Sequence, residues 1–134
     1  MTLMDELPIQ SGDDVVRVRQ RVRVVAADSG LSLVDQTKLV TAASELARNA
    51  LVYGGGGTAR IEVVTSGTGR NGVRIDFTDD GPGIPDVDLA LTDGWTSGGG
   101  LGLGLSGARR LVDEFELNSN PGAGTSVVVV KWSR

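Results

Sequence analysis

The stretch GGGLGLGLSG, residues 98–107, constrains this chain more than any other segment. Six of its ten residues are glycine, which loses more backbone freedom on folding than any other residue. The sequence ARRLVDEFEL that follows is typical of a helix, so the glycines precede a helix N-terminus, where backbone N–H groups lack partners. Such a loop favours binding of a phosphate. A flexible linker is the alternative, although the interleaved leucines are poor linker residues.

This glycine loop is not one of the two commonest phosphate-binding motifs. It lacks the Lys-Ser/Thr pair of a Walker A loop. It also lies outside a βαβ unit with a ribose-binding acid, which a dinucleotide fingerprint requires. The sequence therefore predicts phosphate binding by a different loop geometry.

Composition narrows the chemistry further. The 134 residues, 40% of them hydrophobic, predict a single domain spanning 1–134. A net charge of −4 argues against nucleic acid as a partner. The start, MTLMDELPIQ, carries no signal-peptide pattern and no segment has the length of a membrane helix, so we expect a cytoplasmic protein without a membrane partner. With no cysteine and no histidine, thiolate and imidazole chemistry are excluded.

Periodicity and turn signals predict an α+β two-layer sandwich, with three helices packed on one face of a mixed sheet. The first helix alternates arginine with valine, which alone also allows a strand, but its length and the cap residues before it favour a helix. The unbroken run Val127–Val130 predicts a strand that is central or covered on both faces. The predicted elements are a strand at 7–10, helices at 11–29, 34–53 and about 105–115, a hairpin of TARIEVVTS and NGVRIDFTD, a loop at 80–100 with a short helix near 86–91, and strands at 116–118 and from 125 onwards.

The segment SELARNAL on the second helix places Glu45 and Asn49 four residues apart, on one face and away from the apolar arc. An ordinary solvated helix face is the simpler explanation of such a pair. The functional alternative is phosphoryl transfer, in which asparagine offers an oxygen ligand to Mg²⁺ and glutamate accepts a proton.

Two further segments place polar groups beside glycine. In DDGPGIP, residues 79–85, a carboxylate follows a predicted strand, and the glycines let a flat ligand approach the backbone; a plain β-turn is the alternative. An aspartate there accepts a hydrogen bond from an exocyclic amine, which adenine offers. In PGAGTSVVVV, Thr125 opens the last strand, either as a simple strand opener or as a hydroxyl facing the same pocket.

The order of these four motifs resembles the N, G1, G2 and G3 boxes of the GHKL ATPase superfamily, which has the Bergerat nucleotide-binding fold. The resemblance spans nearly the whole chain. Within the superfamily, the segments VDQTKLVTAASELARNALVYGGGG, DDGPGIPDVDLALTDGWTSGGGLGLGLSGARRLVDEFEL and PGAGTSVVVVKWSR look most like the RsbT-type switch serine kinases of bacterial stressosomes.

The resemblance implies ATP and Mg²⁺ as cofactors and a role for each matching position. Asn49 corresponds to the Mg²⁺ ligand, Glu45 to the base for the acceptor serine, and Asp79 to the adenine-reading aspartate. Arg48 reaches either a phosphate or Glu45, and the resemblance does not decide which. The remaining nucleotide-binding positions are Gly81, Gly83 and Ile84 in the turn after Asp79, Gly98, Gly99, Gly100, Leu101, Gly102, Leu103 and Gly104 in the phosphate loop, with residues 94–99 in a mobile lid, and Thr125 near adenine.

The implied activity is a protein serine/threonine kinase acting on a STAS-domain protein. Its other implied partners are a stressosome scaffold and a phosphatase of the PP2C type. Two alternatives stay open at this point. One is an anti-sigma factor kinase, which binds a sigma factor and a STAS antagonist, and the other is an adaptor that regulates by binding alone.

Overall fold

The computed structural model describes residues 4–83, 104–119 and 122–134. Five strands form one sheet, and three helices pack on one of its faces. The strands are β1 (Met4–Ile9), β2 (Gly57–Thr65), β3 (Asn71–Asp79), β4 (Glu114–Ser119) and β5 (Thr125–Trp132). The helices are α1 (Gly12–Asp28), α2 (Leu33–Val52) and α3 (Gly104–Arg110). The predicted two-layer α+β architecture is confirmed.

The sheet has the strand order β1-β2-β3-β5-β4, and every neighbouring pair in the described part of the chain is antiparallel. The prediction of a mixed sheet is therefore wrong. The reason lies in the connection through α3: β3 and β4 run in the same direction, but β5 lies between them and is antiparallel to both. Parallel strands are present without being neighbours.

Helix α1 forms as predicted, and its alternating arginines do not make a strand. Val18, Val22 and Ala26 recur at every fourth position and are fully buried, which is the spacing of one helix face. The arginines between them lie on the exposed part of the same helix. Ser11 caps the helix, its hydroxyl accepting from the amide of Asp14.

Helix α2 lies across the sheet and supplies much of the core. Its Leu39, Ala43 and Leu46 are buried against the sheet residues Ile61 and Ile75. The helix begins at Leu33 after a Ser32 cap and ends at Val52, with Tyr53 as its C-cap, so both ends lie within one residue of the predicted 34–53. Several of its buried residues are alanines, and Gly54, which follows the helix, lies directly against Asp79 at the end of β3.

Three elements have bounds that differ clearly from the prediction. Strand β1 spans Met4–Ile9 rather than 7–10. Helix α3 ends at Arg110 rather than near Phe115, and β4 begins at Glu114 rather than at Glu116. The polar–apolar alternation of EFELNS has the period of a strand, and Phe115 and Leu117 both pack against the core from β4. The short helix predicted near 86–91 falls outside the described residues.

The start of α2 is tied to the sheet by an ion cluster around the buried Lys131. The Lys131 side chain, 4% exposed, lies on β5 between Asp35, 3.7 Å from its ammonium nitrogen, and Asp113, at 3.4 Å. Arg134 contacts the same two carboxylates at 3.6 and 3.2 Å. The cluster fixes the start of α2 against the end of β5, so the other ends of both elements also keep a defined relative position.

The valine run predicts a strand that is either central or covered on both faces. Strand β5 is central, which agrees with the first alternative. It pairs with β3 on one side and β4 on the other, and its Val127 and Val129 face the helices. No helix in the described part of the chain is long and apolar enough to span a bilayer.

The first turn of α1 yields a pH-dependent prediction. The amide of Gln10 at 2.8 Å and the guanidinium of Arg17 at 2.6 Å hold the pKa of the Asp14 carboxyl below its usual 3.8, against the opposing effect of burial. Because the pKa is lower in the folded state, ionised Asp14 stabilises the fold above pH 3.8, and this contribution is lost as the pH falls through the folded-state pKa.

We therefore expect Asp14→Asn to lower the urea midpoint at pH 7, and this loss to shrink below pH 3.8 until the two proteins are equal. Urea titrations between pH 2.5 and 7 measure it. Asp13→Asn, which removes an exposed carboxylate from the same turn, is the matched control and should have the smaller effect. A loss for Asp14→Asn that is constant with pH would contradict the assignment.

Candidate active site

Four residues form a row across the sheet, at the end where β3 stops and β5 starts. Asp79 on β3 pairs with Gly57 on β2 and with Thr125 on β5, and Thr125 pairs in turn with Ser119 on β4. Residues paired in this way project from the same face of the sheet, and Asp79 shares that face with the buried Phe77. The row therefore lies on the helix side of the sheet, beside the end of α2.

Asp79 is held by backbone groups. Its Oδ1 accepts the amide of Gly81 at 2.9 Å, which closes a tight turn after β3. A Cβ atom on Gly54, just after α2, would overlap the Asp79 carboxyl carbon, and one on Gly81 would lie 2.6 Å from the Gly54 Cα. Only glycine allows this approach, so the end of α2 and the end of β3 meet at the Asp79 side chain.

Asn49 is connected to this junction through its backbone. Its carbonyl accepts the amides of Tyr53 at 2.9 Å and Gly54 at 3.3 Å. One turn earlier, the Glu45 Oε1 accepts the amide of Gly104 at 3.2 Å. Glu45 and Asn49 are both partly exposed, on the face of α2 that is not used by the core. Arg48 is exposed on the same helix, and the choice of its partner stays a prediction.

The start of β5 lies directly on the backbone of β3. Gly124 has φ +85°, and a Cβ atom there would overlap the carbonyl oxygen of Asp79. The amide of Gly122 donates to the carbonyl of Pro82 at 2.7 Å, which joins the β4–β5 turn to the turn after β3. Thr125 therefore emerges beside Asp79, and its hydroxyl lies 2.9 Å from that of Ser119.

The structure thus brings together Asp79, Gly81 and Thr125, and it places Glu45 against Gly104. Gly83, which has φ +79°, is the last residue of the described range 4–83. The remaining predicted positions fall outside the described residues: Ile84, Gly98, Gly99, Gly100, Leu101, Gly102 and Leu103.

Sequence reasoning missed three residues of this region. Gly54 and Gly124 are glycines that turn signals explain by themselves, and only the packing shows that both contact Asp79. No local sequence pattern marks Ser119 as a site residue, because only the register of β4 with β5 places it beside Thr125. A long-range pairing of this kind is not encoded in the spacing of either residue type.

Comparison with known proteins agrees with this geometry. Residues 34–133 match the family model of the histidine kinase-, DNA gyrase B- and HSP90-like ATPases, and the chain belongs to that family of ATPases. The GHKL superfamily and its fold, predicted above, are confirmed.

Among its relatives is the serine/threonine-protein kinase RsbT of Bacillus subtilis, which is 48% identical over 121 residues, covering 90% of each chain. This confirms the predicted resemblance to RsbT-type kinases and agrees with the predicted enzyme class. An anti-sigma F factor of a Thermoanaerobacter species is 27% identical over 117 residues, covering 85% of this chain and 82% of the relative.

Solved structures have the same fold. The RsbU and RsbW domains of a Mycobacterium tuberculosis protein superpose with a TM-score of 0.66 at 23% identity, over all of this chain and 33% of that one. The mycobacterial sensor histidine kinase MprB gives a TM-score of 0.57 at 18% identity, over 98% and 99% of the two chains.

Proposed function

We propose that the chain is an ATP-dependent serine kinase of a partner-switching pathway, with residues 1–134 forming one nucleotide-binding domain. It transfers the γ-phosphoryl group of Mg·ATP to a serine of a STAS-domain protein. The observation that carries the proposal is the convergence of Asp79, Thr125 and the Glu45–Asn49 face of α2 at one end of the sheet. The 48% identity to RsbT, which is named a serine/threonine-protein kinase, supports the choice of reaction.

The Asp79 region fits an adenine base. Gly54, Gly81 and Gly124 let the backbone pack directly around Asp79, which fixes the position of the carboxylate that would read the base. The Gly81 amide occupies Oδ1 at 2.9 Å and leaves Oδ2 to accept from an exocyclic amine. A buried or half-buried acceptor that selects an amine in this way contributes specificity as well as affinity.

Asn49 supplies the protein oxygen for Mg²⁺, which in nucleotide sites keeps waters and phosphate oxygens as its other ligands. When bound, the ion neutralises charge on the phosphates of ATP. Arg48 is the nearest exposed cation on α2 in sequence, either as a phosphate partner or as a partner of Glu45. The loop at 98–104 supplies backbone N–H groups for the phosphates.

Glu45 acts on the acceptor serine. Its carboxylate takes the proton of the serine hydroxyl as the serine oxygen bonds to the γ-phosphorus, and ADP leaves with the electrons of the broken P–O bond. Glu45 accepts the Gly104 amide through Oε1, and we assign its other oxygen, Oε2, to the substrate hydroxyl.

The other partners follow the family resemblance: a stressosome scaffold that presents the STAS protein, and a PP2C-type phosphatase that the kinase activates by binding. We place these events in the cytoplasm. The anti-sigma F relatives favour a second candidate, an anti-sigma factor kinase that binds a sigma factor and a STAS antagonist. Pull-down separates the two, because retention of a sigma factor supports the second and retention of scaffold or phosphatase supports the first.

The decisive experiment is transfer of radiolabelled phosphate from ATP to a candidate STAS protein, with Asn49→Ala as the variant. We expect the wild type to label one serine. We expect Asn49→Ala to lose labelling and to weaken Mg²⁺-dependent ATP binding by about 10- to 100-fold, as loss of a metal-site group does. Asn118→Ala, an exposed asparagine on the other face of the sheet, is the matched control and should label normally.

Two results would contradict the proposal. Binding of ATP that is insensitive to Mg²⁺ and to Asn49→Ala would remove Asn49 from the site. A folded protein without measurable ATP affinity would instead indicate the binding adaptor.

A further inference from the structure

Ser119, the last residue of β4, has its hydroxyl next to that of Thr125. The two oxygens are 2.9 Å apart, and either one is able to donate in that bond. The Ser119 hydroxyl also lies 3.3 Å from the carbonyl oxygen of Gly124, to which it donates. Both side chains project from the face of the sheet that carries Asp79.

Proton counting fixes the direction of the bond between the hydroxyls. A carbonyl oxygen only accepts, so the bond to Gly124 uses the single proton of Ser119. Both bonds exist together only if Thr125 donates its own proton to Ser119. The Thr125 oxygen then has only lone pairs for any further partner. Gly124 is held by its close approach to the Asp79 backbone, so its carbonyl is a fixed acceptor for Ser119.

We propose that Ser119 is a positioning residue that makes Thr125 an acceptor on the nucleotide side, so that Asp79 and Thr125 select a purine with an exocyclic 6-amino group over a 6-oxo purine. The inference rests on the proposed function and adds a residue that sets its nucleotide specificity. Two acceptors side by side match the two N–H groups of an amine and oppose a carbonyl oxygen. Without Ser119, the Thr125 hydroxyl is able to rotate and donate to a carbonyl.

The test compares ATP with inosine triphosphate, which carries a carbonyl oxygen in place of the 6-amino group. Both are titrated by calorimetry with Mg²⁺ into the full chain. We expect the wild type to prefer ATP. Ser119→Ala should reduce that preference by about 5- to 10-fold, because inosine triphosphate should bind more tightly. The magnitude is that of one hydrogen bond, which Thr125 would then donate to the 6-carbonyl oxygen. Ser119→Thr keeps a hydroxyl at this position and should keep the preference of the wild type.

Ser126→Ala is the matched control. It removes a serine hydroxyl from the neighbouring residue of β5, on the other face of the sheet, where it lies 3.4 Å from Asp76. It should leave the preference unchanged. Thr125→Val provides a second route if Ser119→Ala does not fold, because removing the acceptor should weaken binding of ATP while preserving the β-branched shape.

Failure of the inference differs from failure of the function. If the wild type binds ATP selectively but Ser119→Ala keeps the full preference, or Ser126→Ala loses as much, the inference is wrong and the kinase proposal stands. The inference is also wrong if Thr125→Val binds ATP as the wild type does. If the wild type binds neither nucleotide, both are wrong.

Discussion

Glu45→Gln is expected to lower the rate of phosphoryl transfer by about 10²- to 10⁴-fold, the usual contribution of a positioned general base. ATP affinity should stay close to that of the wild type. The reason is that the glutamine oxygen is still able to accept the Gly104 amide, now 3.2 Å from the Glu45 Oε1, whereas the amide group does not take up a proton. The variant therefore removes the base and keeps the contact with the start of α3.

Glu45→Ala separates the two roles of this side chain. It removes the base and also the acceptor for Gly104, so both transfer and ATP affinity should fall. Single-turnover transfer with radiolabelled ATP and calorimetric titration measure the two quantities independently. Glu116→Gln, an exposed carboxylate on the sheet face without helices, is the control and should change neither.

One outcome for these two variants would contradict the role of Glu45 as the general base. If Glu45→Gln transfers phosphate at the wild-type rate while Glu45→Ala is inactive, the hydrogen bond to Gly104 is the only function of this residue. The acceptor serine would then lose its proton to another group. The same outcome would leave the nucleotide site itself intact.

Local patterns were enough to predict most of the fold. Signals that act over a few residues can be interpreted directly from the sequence. They are the caps at Ser11 and Ser32, the four-residue spacing of Val18 and Val22, and the turn between β2 and β3. The prediction was wrong where the answer depends on the order of strands. The mixed sheet was inferred from the sequence of elements, but the insertion of β5 between β3 and β4 makes every observed pairing antiparallel.

The candidate site divides in the same way. Glu45 and Asn49 are four apart on one helix, so their common face follows from helix geometry. Asp79 and Thr125 are 46 positions apart, and only the register of β3 with β5 places them side by side. The positions of Ser119 and Gly124 beside this pair also depend on contacts between residues distant in sequence. The same holds for the burial of Lys131 at the end of a valine run. Tertiary contacts override the local pattern at each of these positions.

Gly124→Ala is expected to destabilise the protein by at least about 3 kcal/mol and to weaken ATP binding by more than about 10-fold, effects typical of backbone strain combined with overpacking. Two costs act together. The residue has φ +85°, where an L side chain is strained, and its methyl group would overlap the carbonyl oxygen of Asp79. Relief of the overlap requires movement of Asp79 or of the start of β5, and both belong to the row that contains Thr125.

Gly122→Ala isolates the first cost, the backbone strain, because Gly122 has nearly the same backbone angle, φ +78°, but a Cβ atom there meets no atom of the described residues within 4 Å. Its amide keeps the bond to Pro82 after the substitution. It should therefore lose only about 1 to 2 kcal/mol, the cost of the left-handed conformation. Urea unfolding of the two variants gives the difference in stability, and calorimetry with Mg·ATP gives the difference in affinity. Equal losses for both variants would mean that β5 moves away from Asp79 at little cost, and a site that depends on their close approach would not survive that result.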